Sequence, residues 1–217
     1  MFRRILLIAF LFGTQNGFTQ DLGIIQKGFT IGVQVDRSMY QTTDKLKTQF
    51  QGGGHIGFLY KIPFDYHVFF VPQADLNYRR FLLKEKTVGE YYRIQEYQLR
   101  VAPLLEIDFK NPGENTIFIQ FGPSIGYGIT GKQTTYYTSG NLILEEKSTL
   151  KYGYQSYGRY DANAHLAAGF ETASGFRFLA EYVYGLSNMI NAEMGARLKY
   201  RSFALEAGIL LGKKKNK

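Results

Sequence analysis

The chain has 217 residues, 16% of them aromatic, with 24 glycines, no cysteine and a formal net charge of +8. That is one domain's worth of material, and the lack of cysteine excludes a disulfide framework and a lipoprotein anchor. The positive charge is dispersed apart from the tail Lys213-Lys214-Lys215-Asn216-Lys217, which argues against nucleic-acid binding in a chain that reads as exported.

Export is written at the start. Met1-Phe2-Arg3-Arg4 is a short basic opening, Ile5 to Phe12 is an unbroken apolar run, and Gly13 to Thr19 is polar with small residues. Together these describe a secretory signal peptide over residues 1–19, with Gly17 and Thr19 at the positions a peptidase reads and cleavage before Gln20. Such a run is too short to span a bilayer as a helix, which takes about 20 residues. Loss of Arg3 and Arg4 with the leader lowers the charge from +8 to +6. No later apolar run reaches helical length.

Beyond the leader the chain repeats one pattern. Phe29, Ile31, Val33 and Val35 alternate with Thr30, Gly32, Gln34 and Asp36; Ile56, Phe58, Tyr60 and Ile62 alternate with His55, Gly57, Leu59 and Lys61. After the turn Pro63-Phe64-Asp65, a third strand sets Val68, Phe70, Pro72, Ala74, Leu76 and Tyr78 against Phe69, Val71, Gln73, Asp75, Asn77 and Arg79. The fourth, Glu96 to Phe109, sets Tyr97, Leu99, Val101, Pro103, Leu105, Ile107 and Phe109 against Glu96, Gln98, Arg100, Ala102, Leu104, Glu106 and Asp108. The turn Asn111-Pro112-Gly113 ends it. The fifth strand runs from Ile117 to Ile129, with Gly122, Ser124, Gly126 and Gly128 on its second face, where small residues leave room inside a narrow barrel. Asp161–Glu171, Phe176–Leu186 and Phe203–Leu211 supply the sixth to eighth. Period-2 alternation of this length, with one apolar and one charged face, marks β-strands.

The connections also alternate. Those around Pro63, Pro112 and Ser174 are short, whereas Arg37 to Phe50, Arg80 to Tyr91, Gly131 to Arg159 and Ser187 to Leu198 are long. Short periplasmic turns and long outer loops are the asymmetry of outer-membrane barrels. The expected fold is therefore all-β: an eight-stranded, antiparallel, up-and-down transmembrane β-barrel over 20–212, after the signal peptide and before a basic periplasmic tail at 213–217. Weak alternation from Ala192 to Leu198 leaves nine or ten strands as the alternative count.

A soluble sandwich or lipocalin-like barrel is the competing reading, because alternation alone does not say which face points inward. Three features favour the membrane. The apolar faces of all eight strands carry no charge, while the opposite faces hold Asp75, Arg79, Arg100, Glu106, Asp108, Glu171, Glu181 and Glu206. Phe64, Phe109, Phe170 and Phe176 at one end of the apolar face and Tyr78, Tyr97, Tyr127 and Tyr184 at the other form two girdles. A soluble strand usually places Lys or Glu on its exposed side, and a charge at mid-bilayer costs roughly 2–4 kcal/mol.

Four segments, Phe70-Val71-Pro72-Gln73-Ala74-Asp75-Leu76-Asn77-Tyr78, Tyr97 through Pro103-Leu104-Leu105, Phe121-Gly122-Pro123-Ser124-Ile125-Gly126-Tyr127 and Ala167-Ala168-Gly169-Phe170-Glu171, give the chain a resemblance to the PorT-like family of small outer-membrane β-barrels. The resemblance implies an eight-stranded barrel and, through the protein that names the family, a link to protein secretion. One departure is that Leu211-Gly212 and a lysine tail stand where outer-membrane strands commonly finish on an aromatic.

Candidate sites are few. Pro72 and Pro103 lie six residues from the turn ends of their strands and Pro123 seven, all on the apolar face; they read as bulges or bends, or as a weakened ladder where a partner docks. Gly122-Pro123-Ser124-Ile125-Gly126 has the G-x-S-x-G spacing, but inside an alternating strand rather than on a strand-to-helix turn. Ser124 and His165 nevertheless face inward at similar heights on neighbouring strands, with Asp161 or Glu106 as a candidate acid. His55 and His67 form no metal spacing. The inward charges form a lumen polar network in which Arg79 and Arg100 pair with Asp75, Glu106 or neighbouring carboxylates, filling a narrow barrel. Tyr136, Tyr137, Tyr152, Tyr154 and Tyr157 surround Ser139-Gly140-Asn141 in the longest loop, either stiffening a hairpin or making a recognition face.

The functional expectation is a non-enzymatic outer-membrane barrel of a Gram-negative bacterium, serving envelope structure, surface recognition or a secretion assembly. It requires no cofactor, sits in outer-membrane lipid and meets an envelope or secretion-system protein. The alternatives are a narrow pore for small solutes and a lumenal lipid acyl-ester hydrolase.

Overall fold

The computed structural model describes residues 24–40, 46–85, 91–111, 114–139, 142–154, 156–191 and 197–212. The leader, the tail at 213–217 and the hairpin tip Gly140-Asn141 lie outside the described residues. Among the described residues ten strands form: β1 Gln26–Tyr40, β2 Leu46–Gln49, β3 Gln51–Pro63, β4 Val68–Glu85, β5 Tyr91–Asp108, β6 Thr116–Ser139, β7 Leu142–Thr149, β8 Tyr160–Glu171, β9 Phe176–Gly185 and β10 Leu198–Leu211. Eight of them close into an antiparallel barrel in the order β1-β3-β4-β5-β6-β8-β9-β10, with β10 returning to β1. The two short strands stay outside that ring, β2 on the upper end of β4 and β7 on the upper end of β6. The eight-stranded up-and-down barrel is thus the architecture of the chain.

The wall is inverted relative to a soluble protein. Ile31, Val33 and Ile125 on the outside are 63%, 67% and 62% exposed, whereas Asp36, Arg100 and Glu106 on the inside are at most 2% exposed. A strand that crosses hydrocarbon must present such a surface to lipid, and closure into a ring removes every unpaired edge.

The strands run well past the membrane. Crossing it takes about 9–11 tilted residues, yet β4 and β5 have 18 each and β6 has 24. Much of the expected loop length at Arg80 to Tyr91 and Gly131 to Arg159 is therefore ladder, with Lys84↔Tyr91 and Tyr136↔Glu145 still in register. Above the bilayer neither face must be apolar, so the alternation fades while pairing continues. A bulge helps to hide it: Tyr97 pairs with Thr130 and Gln98 with Gly128, so Ile129 is the extra residue and the parity of β6 reverses above it.

The three prolines stand side by side on β4, β5 and β6, facing lipid, and cause no register shift. Pro72 pairs with Pro103 in an unbroken β4–β5 ladder, and Pro123 pairs with Ala164 in an unbroken β6–β8 ladder. Each therefore turns its bare nitrogen to its other neighbour. Those ladders have gaps, with β3–β4 passing from Leu59↔Gln73 to Ile62↔Phe70 and β5–β6 from Val101↔Ile125 to Leu105↔Phe121. Bulges at the prolines are not what forms; the prolines remove bonds within a constant register. The Pro103→Val/Pro123→Val variant regains two donors in the β5–β6 gap and should unfold at higher urea, gaining about 1 kcal/mol per bond. A midpoint at or below that of the parent, read from heat-modifiable gel migration, counts against this account.

Candidate functional site

The lumen holds the chain's concentrated chemistry, arranged in tiers from the periplasmic turns upward. In the lowest tier Lys61 Nζ lies 2.7 Å from Glu106 Oε1, 2.7 Å from Asp108 Oδ2 and 2.8 Å from Glu171 Oε2. Arg177 from β9 bonds Glu106 on β5, and its guanidinium carbon sits 4.3 Å from the centre of the Phe118 ring. The three carboxylates could gather round a cation, since donor oxygens of all three lie within 4.8 Å of one another. The ammonium of Lys61 already stands among them. A buried carboxylate cluster needs positive charge nearby, and here the protein supplies it.

The middle tier joins β4 and β5 to β8, β9 and β10. Arg100 Nε donates to Asp75 Oδ2 at 2.8 Å, and Arg100 Nη1 reaches Glu181 Oε2 at 3.5 Å across the lumen. His55 Nε2 lies 2.7 Å from Glu206 Oε2, with its Nδ1 3.2 Å from Gln34 Oε1. His165 Nε2 lies 2.6 Å from Ser124 Oγ, and His165 Nδ1 bonds Glu181. This is a Ser-His-acid set, but its acid is Glu181, neither Asp161 nor Glu106. Asp161 turns up to Arg79 and Glu106 turns down to Lys61 and Arg177, a distinction made by cross-lumen reach. The set has no room for an acyl group: Ser124 is 1% exposed, and Asn163 also donates to its oxygen at 3.4 Å.

In the upper tier Arg79 bonds Glu96 Oε2 at 2.7 Å and Asp161 Oδ2 at 2.5 Å. Asp161 also accepts from Gln98 at 2.9 Å and Asn163 at 3.1 Å. Asp36 accepts from the Tyr200 hydroxyl at 2.8 Å, Gln34 at 2.9 Å and the backbone N–H of Arg80 at 3.1 Å. Above these lies an apolar plug of Phe81, Leu83, Ile94, Leu150, Val183, Met189 and Leu198, with Tyr152, Tyr157 and Ile190 packed against it. The Tyr152 hydroxyl donates to Glu96 at 2.9 Å. Burial, with the Glu96 carboxylate beside it, pushes the Tyr152 phenol above the ordinary tyrosine range, so that it keeps its proton and remains a donor.

Glycines make the tiers fit. A Cβ on Gly57 would overlap the Asp75 carboxylate, and one on Gly126 would overlap both Gln98 and Asp161. The small residues read from the sequence on β6 thus occupy the space opposite the largest polar side chains.

All eight expected network residues, Asp75, Arg79, Arg100, Glu106, Asp108, Glu171, Glu181 and Glu206, are buried in the lumen. The sequence reading did not place Lys61, Arg177, Glu96 and Asp36 in the network, although each has inward parity on its strand. The five loop tyrosines separate. Tyr136 stacks on Tyr91 outside the wall at 4.3 Å, the Tyr137 hydroxyl lies 3.4 Å from Glu146, Tyr152 and Tyr157 cover the plug, and Tyr154 is exposed.

A closed barrel with a lipid-compatible exterior, a charge-stapled lumen and long strand extensions on one side defines a small outer-membrane β-barrel. Residues 15–191 match the family described as "Outer membrane protein beta-barrel domain", and the chain belongs to that family. No curated protein sequence matches it. Similar solved structures include Ail, the attachment invasion locus protein of Yersinia pestis, at 14% identity and a TM-score of 0.45, covering 86% of this chain and 99% of Ail. The outer membrane enzyme PagL aligns at 12% identity and a TM-score of 0.46, covering 83% and 98% of the two chains. OprG from Pseudomonas aeruginosa gives 10% identity and 0.42, covering 87% and 97%.

Removing one member of a buried ion pair strands the other, at a cost of about 3–5 kcal/mol. Arg100→Met should therefore destabilise the barrel by that order, and Arg100→Met/Asp75→Leu should recover part of the loss. Equal loss in the single and double variants in urea unfolding would contradict the pairing.

Proposed function

We propose that this protein is a non-enzymatic outer-membrane barrel that presents an extracellular recognition surface, with the membrane domain acting as a rigid anchor. The observation that carries this reading is the filled lumen. Among the described residues the ionisable side chains inside it are at most 6% exposed, and the staples cross between facing walls, as in Arg79 of β4 to Asp161 of β8 and Lys61 of β3 to Glu171 of β8. A solute would have to break several such contacts together, and the apolar plug closes the upper mouth. What projects outward is structured: β6 and β7 continue as a paired hairpin from Lys132↔Thr149 to Ser139↔Leu142, carrying exposed Ile143 and Leu144 near its end. We place the chain with the PorT-like barrels on the segments quoted above and assign its partner to the envelope or to a secretion assembly.

Three measurements test this. Planar bilayers containing the protein should stay flat across salt and voltage, and stepwise conductance would replace the anchor with a pore. A fluorophosphonate probe should leave Ser124 unmodified in the folded barrel, because the serine is enclosed; labelling that Ser124→Ala abolishes would restore the hydrolase reading. Photo-crosslinkers at Ile143 or Tyr154 in intact cells should yield discrete protein adducts absent from a lipid-facing control at Val33. Indistinguishable patterns from all three positions would overturn the recognition role.

A further inference from the structure

The outer wall has a second chemistry at its extracellular rim, apart from the hairpin. Arg37, Arg80, Arg93, Arg159 and Arg201 stand on or beside the outward face at that end, and each lies over an aromatic ring. Arg80 lies 5.7 Å from the Tyr78 ring centre, Arg93 5.3 Å from Tyr136, Arg159 5.6 Å from Tyr127, Arg37 5.1 Å from Phe50 and Arg201 3.4 Å from Tyr184. Among the described residues their hydrogen bonds go to neutral oxygens: Arg37 to Thr48 Oγ1, Arg80 to Gly52 O, Arg159 to the Tyr127 hydroxyl, and Arg201 to Gly185 O and Tyr200 O. Among the described residues no carboxylate forms an ion pair with any of the five, while every lumenal Arg has one. Arg93 Nε is buried with no hydrogen-bond partner among the described residues.

Below one of these arginines the wall is dented. Gly54 faces lipid with no side chain, leaving a groove of about 420 Å³ between Ile31, Ile56 and Leu76, with Tyr78 and Arg80 at its upper end. That volume falls in the range of ligand pockets, roughly 300–1,000 Å³. Its apolar floor lies at the depth of acyl chains. Arg80, two residues beyond the girdle residue Tyr78, lies about 6–7 Å further out, at headgroup level.

We propose that this groove and Arg80 at its upper end bind a phosphorylated, multiply acylated glycolipid of the outer leaflet, one acyl chain lying against Ile31, Ile56 and Leu76 and a phosphate on Arg80, with Arg37, two strands along the wall on β1, adding positive charge to the same rim. Charge complementarity selects the occupant: guanidinium groups that, among the described residues, have no carboxylate partner, above an apolar slot, match a phosphate joined to hydrocarbon. Aromatic rings beneath the guanidinium groups hold them at the interface without neutralising them.

The test equilibrates the purified barrel in mixed micelles with a bisphosphorylated acylated glucosamine disaccharide, its dephosphorylated form, or phosphatidylglycerol, and reads retained lipid by native mass spectrometry. The wild-type barrel should retain the phosphorylated glycolipid about tenfold more than either comparison lipid, and Arg37→Gln/Arg80→Gln should abolish the difference. Leu76→Trp, which fills the slot and leaves the arginines in place, should reduce retention as well. Equal retention of the dephosphorylated form, equal retention of phosphatidylglycerol, or full retention by the folded arginine variant would each overturn the proposal. The wild-type comparison of lipids decides the matter even if a variant fails to show heat-modifiable migration.

Discussion

The structure follows from one constraint: a wall that faces hydrocarbon accepts no charge, so the polar half of every membrane-crossing strand must be satisfied inside a ring of eight strands. An eight-stranded lumen is only wide enough for side chains. Those side chains cannot be hydrated freely and must answer one another. Among the described residues, nine buried carboxylates, Asp36, Asp75, Glu96, Glu106, Asp108, Asp161, Glu171, Glu181 and Glu206, share the lumen with four buried cations, Lys61, Arg79, Arg100 and Arg177. With cations scarce, each serves more than one acid. Lys61 meets three, Arg79 spans Glu96 and Asp161, and Arg100 spans Asp75 and Glu181. The remaining acids take neutral or imidazole partners, as Asp36 takes Tyr200 and Glu206 takes His55.

The outer rim reverses this balance. Arg37, Arg80, Arg93, Arg159 and Arg201 are basic, aromatic-backed and, among the described residues, without carboxylate partners. In the lumen a guanidinium is neutralised because it is buried among carboxylates. At the rim it meets water and lipid headgroups, so its charge remains available for recognition. Inside and outside thus use the same residue type for opposite purposes, one to close the barrel and one to face its surroundings.

Much of this was legible in the sequence, because hydrocarbon imposes a strict period of two and a strict ban on charge. Glu96 to Phe109 reads directly as a strand whose Arg100, Glu106 and Asp108 point inward, and that is how β5 is built. Legibility stops where that pressure stops. Above the bilayer β6 continues to Ser139, but the bulge at Ile129 reverses its parity and both faces become polar, so a ladder looks like a loop. Side-chain partners were less legible than faces. Parity puts His165, Asp161, Glu106 and Glu181 all in the lumen; only the relative heights of non-adjacent strands give His165 to Glu181 and Asp161 to Arg79. Tyr152 reads as a loop residue, yet a chain that folds back over the mouth carries it onto Glu96.

The ion network also explains how one register is selected among several. A one-residue slip between neighbouring strands would move every side chain of a strand to the opposite face. On β5 that would expose Arg100, Glu106 and Asp108 to lipid, at roughly 2–4 kcal/mol for a basic residue at mid-depth, and would press Leu99, Leu105 and Ile107 into a lumen lined with carboxylates. A two-residue slip preserves the faces and is the more dangerous error. Polar spacing penalises it: moving β9 by two residues separates Glu181 from both Arg100 and His165 and leaves buried charge without its partner. Glycine spacing penalises it again, since Gly57 and Gly126 stand where Asp75, Gln98 and Asp161 need room, and any other residue at those heights would collide with them. The hydrocarbon therefore fixes which face points inward, and the stapled lumen fixes the height at which each strand meets its neighbours.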